Sequence, residues 1–153
     1  AAAVADAARF NAAAPAVANR LGSHVAIASG IVIESAGDLS MSGDWNLHDD
    51  FATARQGSLT LRAGGNLSVK GHLSDGFDHA DRSGKLQEGA SWNLRLVAGA
   101  DLDSANTLAV KPLAAQGVGS GSIIIGTADS NPDAAIDNGA GKLIRTGSGD
   151  LEV

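Results

Sequence analysis

Residues 59–71 read LTLRAGGNLSVKG. Aliphatic and polar side chains alternate in LTL and again in LSV, the period of two that marks a strand buried on one face. A Gly-Gly-Asn corner separates the two runs, and there the chain can turn tightly. The same form recurs as IVIESAGDLSMSG (31–43), LRLVAGADLDSAN (94–106) and, two residues shorter, LIRTGSGDLEV (143–153). The shared pattern is aliphatic-x-aliphatic-x-small-Gly-x-Asp/Asn-Leu. It places Leu39, Leu67, Leu102 and Leu151 at one equivalent position, with Asp38, Asn66, Asp101 and Asp150 at the corner before each.

Working outward, VAIAS (25–29), SIIIG (122–126) and LIRTG (143–147) are further short alternating runs, nearly all ending at Gly, Ala or Ser. A strand–corner–strand unit that repeats at uneven spacing predicts an all-β parallel β-helix, a solenoid whose passes stack at ~4.8 Å with like side chains over like. The four repeated leucines are expected to face inward as one ladder, and the corner Asp and Asn to bond the local backbone. Segments 48–57, 72–90, 103–121 and 127–141 read as loops that leave the corners. The polar loop 72–90 is expected to be dispensable, since long surface insertions cost little closure entropy. Residues 1–21 form an Ala-rich helix, interrupted at Pro15, or a linker. Residues 22–153 read as the β-helix, one segment of a longer chain. A β-sandwich also has short strands, but it favours hairpins and large core aromatics.

Composition narrows the function. Of 153 residues 44% are hydrophobic but only 3% aromatic, so the core must be built from Leu, Ile, Val and Ala. Net charge is −6, and no two Lys or Arg are adjacent. Without a basic footprint, neither nucleic acid nor an anionic membrane is an expected partner. No apolar run approaches the ~20 residues of a membrane span. The absence of Cys excludes disulfides, thiolate zinc sites and Cys nucleophiles.

The most suggestive polar cluster is His72, Asp75, Asp78, His79 and Asp81. Imidazole and carboxylate ligate zinc or manganese, and carboxylates ligate calcium. The spacing matches neither the EF-hand loop nor HExxH, and polar loops carry Asp and His by default, so the expectation is a solvated loop without metal. Asp129, Asp133 and Asp137 recur every four residues and are a further calcium candidate, but Pro132 favours a plain loop. Gly-rich GVGSGS (117–122) completes no phosphate-binding motif, and no nucleophile motif of the GxSxG or SxxK kind occurs. No cofactor is expected. Trp45 and Trp92 share a WNL context and are read as structural rather than as a sugar-stacking platform.

LTLRAGGNLSVKGHLSDGF, SWNLRLVAGADL, LIRTGSGDLEV and SHVAIASGIVIESAGDLSMSGDWNL resemble the filamentous-haemagglutinin-like exoproteins of Gram-negative bacteria. The resemblance covers roughly residues 21–153. It implies a right-handed β-helix exported by two-partner secretion through an outer-membrane transporter, located at the cell surface and acting in adhesion, aggregation or biofilm. No NPNG-type export motif is present, which suits an internal segment, and no catalytic residue carries over. A host-surface or carbohydrate receptor, neighbouring coils and self-association are the expected partners. Two other readings remain. One is a polysaccharide-cleaving enzyme on the same fold, although Arg62, Lys70 and Arg95 look scattered, exposed and without carboxylate partners. The other is an inert spacer rod carrying a distal domain.

Overall fold

The strands follow from the alternation. In β1 (Gly30–Ser35) Ile31 and Ile33 turn toward the core while Val32 and Glu34 face out. β2 (Leu39–Met41) and β3 (Trp45–Asn46) follow after two corners. The computed structural model describes residues 29–51, 56–126 and 141–153, so the expected helix or linker at 1–21 lies outside the described residues.

The chain then repeats this course. β4 (Ser58–Ala63), β5 (Leu67–Val69) and β6 (Leu73–Ser74) form a second pass. β7 (Asn93–Ala98), β8 (Ile123–Ile125) and β9 (Ile144–Arg145) form a third, and β10 (Leu151–Glu152) returns to the first sheet. The result is three parallel sheets ordered β1-β4-β7-β10, β2-β5-β8 and β3-β6-β9. Every pairing between these strands is parallel, so the hairpins of a sandwich are not found among the described residues; the two antiparallel contacts are isolated bridges, Phe77 with Leu86 and Ala100 with Val110.

Register stacks aliphatic on aliphatic. The columns are Ile31–Leu59–Leu94–Leu151 and Ile33–Leu61–Leu96 in the first sheet. Leu39–Leu67–Ile123 stands in the second and Trp45–Leu73–Ile144 in the third. The second pass, with a neighbour on each side, is buried most completely: Leu59, Leu67, Val69 and Leu73 are sealed from solvent. Each such Leu contributes about 1.5–3 kcal/mol.

These columns correct the sequence reading. Leu39 and Leu67 are equivalent as expected. Leu102 is not: it lies outside any strand, and Ile123 takes its place over Leu67. Leu151 belongs to the first sheet, over Leu94, and is half exposed. The repeat pattern places LIRTG over LTLRA, yet Ile144–Arg145 pairs with Leu73–Ser74 in the third sheet. Two different corners share the Gly-x-Asp/Asn-Leu form, and local turn preference cannot tell them apart. Segment 72–90 also begins with strand β6 rather than loop. Arg62 is buried, not exposed. One Nη ion-pairs with Glu34 and the other donates to the Asp101 carbonyl at 2.7 Å, while Nε has no partner. Arg95 pairs with Glu152 at 2.6 Å.

Corners stack as closely as strands. A Cβ on Gly71 would collide with the backbone of Gly43 and Asp44 in the pass below, whereas one on Gly37 would meet nothing. Backbone cannot move aside as a side-chain tip can. Gly71→Ala should therefore cost about 1–3 kcal/mol, and Gly37→Ala should be neutral or stabilise slightly. Thermal unfolding of the two variants side by side checks this; equal midpoints would contradict the stacking.

Candidate functional site

A backbone N–H at a corner has no ladder partner and takes another acceptor, and here the acceptor comes from the side chain of another part of the stack. Entering the second sheet, Asp38 Oδ1 accepts from Asn66 N–H at 2.7 Å, and Asn66 Oδ1 accepts from Ser122 N–H at 2.9 Å. Entering the third, Asp44 Oδ1 accepts from His72 N–H at 2.8 Å, and His72 Nδ1 accepts from Leu143 N–H at 3.2 Å. Entering the first, Asp75 Oδ2 accepts from Trp92 N–H at 2.5 Å, and Asn93 Oδ1 accepts from Asp150 N–H at 2.9 Å. The corner Asp38 and Asn66 were expected to serve their own turns; they serve the next pass instead. Asp101 has no place in this series, because its segment leaves the stack.

The candidate cluster divides along the same lines. His72 and Asp75 are buried corner residues. Asp78 Oδ1 accepts from Lys85 N–H at 2.6 Å, closing the loop across its base. Asp81 Oδ1 accepts from Ser83 N–H and Oγ–H, and these bonds hold its carboxyl below the usual carboxylate range. His79 is exposed, and its carbonyl accepts from Arg145. Among the described residues no three His, Asp or Glu side chains gather where a metal could sit. Asp129, Asp133 and Asp137 lie outside the described residues.

Arg145 organises this face, and sequence reading missed it. Its Nε donates to Ser74 Oγ at 3.0 Å and its Nη2 to the carbonyls of His79 and Asp81. The guanidinium lies 3.7 Å over the Phe77 ring. No local motif marks it, because its partners are more than 60 residues away in sequence.

Beside it, His48, Phe51, Asp75, Gln87, Glu88 and Trp92 line a cleft of about 210 Å³. The Trp92 ring stacks on Phe51, centroids 4.6 Å apart, and is 3% exposed. Trp45 donates its indole N–H to Asp50 at 2.7 Å. Trp92 is thus packed into the core rather than presented to a sugar, and the two WNL phrases occupy different sheets. Comparison with protein-family models, curated proteins and solved structures gives no match.

Asp75 has a pH consequence. Burial raises its pKa above 3.8, against the opposing pull of the Trp92 and Gly76 N–H groups and of His48. A carboxyl whose folded pKa is raised contributes stability below its unfolded pKa and loses it as pH rises through the folded value. Asp75→Asn keeps an acceptor for Trp92 without the charge. Relative to this variant, the wild type should therefore gain thermal stability as pH is lowered from 7 toward 3.8. A difference that stays constant or shrinks on acidification would contradict it.

Proposed function

We propose that this chain is a segment of a right-handed parallel β-helix, part of a large exoprotein secreted to the bacterial surface, with a structural and adhesive role. The observation that carries the reading is the column-and-corner plan: each pass adds one strand to each of three sheets in the same order and register. Such a stack lengthens by repetition and carries excursions without disturbing its core. An outer-membrane transporter of the two-partner type is its export partner. Its loops and outer sheet faces offer contact to a host surface or carbohydrate. Beyond β7 and β8, Leu96, Ala98, Leu108, Val110, Ile123 and Val153 line an apolar cavity of about 320 Å³. That apolar surface suits association with a second copy.

The enzyme reading would use the cleft at His48, Asp75 and Glu88. The Asp75 carboxylate is 3% exposed and engaged with a backbone N–H, which favours the structural role. The test presents the purified chain to epithelial cells and to arrayed glycans, alongside an assay for cleavage of uronate-rich polymers. Saturable binding without cleavage supports adhesion. Cleavage lost in Glu88→Gln supports the enzyme, and neither activity supports a spacer.

A further inference from the structure

Among the described residues, the side-chain acceptors that serve the next pass at the corners are oxygens except one: the imidazole of His72. We propose that His72 is a proton-operated latch, tying the entry to β9 at Leu143 to the corner before β6 when neutral and freeing that entry when protonated.

The latch stands on the direction of one bond. Nδ1 accepts from Leu143 N–H at 3.2 Å. A ring nitrogen accepts only when it carries no proton, so this bond requires neutral imidazole with its proton on Nε2. Protonation would set two N–H donors against each other. The backbone that carries the ring is fixed at this corner. His72 N–H is held by Asp44 at 2.8 Å, and the His72 carbonyl accepts from Trp45 N–H at 2.7 Å. The residue is also 7% exposed, so water replaces the lost acceptor only if the corner opens. Leu143 is where the chain enters β9, so opening would begin there. Further along, the Leu73 N–H to Leu143 O bond, the Asp75 N–H to Arg145 O bond and the Arg145 side chain hold the strand in place.

Charged neighbours come from every side. Below stands Asp44, and Lys70 precedes His72 on its own pass. The helical turn 47–50 packed on β6 carries His48, Asp49 and Asp50. Lys142 and Arg145 flank the entry to β9. The following loop adds Asp78, His79 and Asp81, and the charge of Asp81 interacts with both His72 and His79. The test must separate His72 from all of these.

The branch atom Oδ1 of Asn occupies the place of Nδ1 in His, and Asn66 already serves this way at the neighbouring corner. His72→Asn should therefore keep the bond and lose its dependence on protons. His72→Gln moves the acceptor to the wrong place. Amide exchange is followed at Leu143 between about pH 7.5 and about pH 5, the range in which histidines titrate, with each rate divided by its intrinsic rate. Wild-type protection at Leu143 should fall about tenfold on acidification, while Ser122, held by Asn66, does not change. In His72→Asn the fall disappears, and in His72→Gln protection is low at both ends. A wild type that shows no fall overturns the latch, and so does a fall that survives in His72→Asn. Should His72→Asn not fold, the ring nitrogens of the wild type decide: a proton found on Nδ1 at neutral pH overturns the proposal.

Discussion

Leu67→Asp is expected to destabilise the chain severely, by more than about 4–5 kcal/mol, while Leu102→Asp and Leu151→Asp cost far less. Leu67 is fully buried in the middle pass, between Leu39 below and Ile123 above. A carboxylate there has no cation within its column. An unpaired buried charge belongs to the mutations that cost more than about 4–5 kcal/mol, against a total stability of about 5–15 kcal/mol for a domain. Leu151 is 45% exposed, and Leu102 lies on the excursion between β7 and β8. A charge at Leu151 keeps its hydration, and one at half-buried Leu102 keeps part of it and disturbs no stacked column. Far-UV circular dichroism and thermal midpoints of the three variants read this directly. Equal damage at all three positions would restore the single ladder that sequence alone suggests and overturn the register.

The contrast marks where sequence stops being informative. Alternation was enough to find β1, β4 and β7, because six residues of period two stand out from their surroundings. It was not enough for β3, β6 and β9, which are two residues long and show no period at all. Leu102 misled for a different reason. GADL has the right local chemistry for a corner, but Gly99 adopts a positive φ of 64° and Ala100 pairs antiparallel with Val110, so the chain leaves the stack there. That choice depends on partners ten residues away. The same holds for the polar residues. Spacing alone argues against a metal site at His72 and Asp75. It does not reveal that they are acceptors for Leu143 and Trp92, since the pairing appears only once the passes are in register. Arg62 looked exposed because its strand alternates. It is buried because the excursion from Gly99 brings the Asp101 carbonyl onto it.

Replacing residues 76–90 with a short Gly-Ser turn should destabilise the chain by roughly 3–6 kcal/mol, contrary to what closure entropy alone suggests. Loop length costs little; what matters is what the loop does when folded. Phe77 lies under the Arg145 guanidinium, and its carbonyl accepts from Asn46 Nδ2 at 3.0 Å. His79 and Asp81 supply the two carbonyls that satisfy Arg145 Nη2. Gln87 N–H bonds the Gly76 carbonyl at 2.8 Å, and Phe77 bridges to Leu86, so the loop returns on itself as a small packed unit. Deleting it leaves Arg145 with Ser74 alone and strands a donor on Asn46. The lost cation–π contact is worth about 0.5–2 kcal/mol, and each unsatisfied partner about 1–3 kcal/mol. Arg145→Met separates the causes: it removes the cation and leaves the loop, so it should show part of the loss. Urea unfolding midpoints of the two variants give the measurement. If the loop replacement unfolds at the wild-type midpoint, Arg145 finds equivalent partners in water and the loop contributes nothing to the stack.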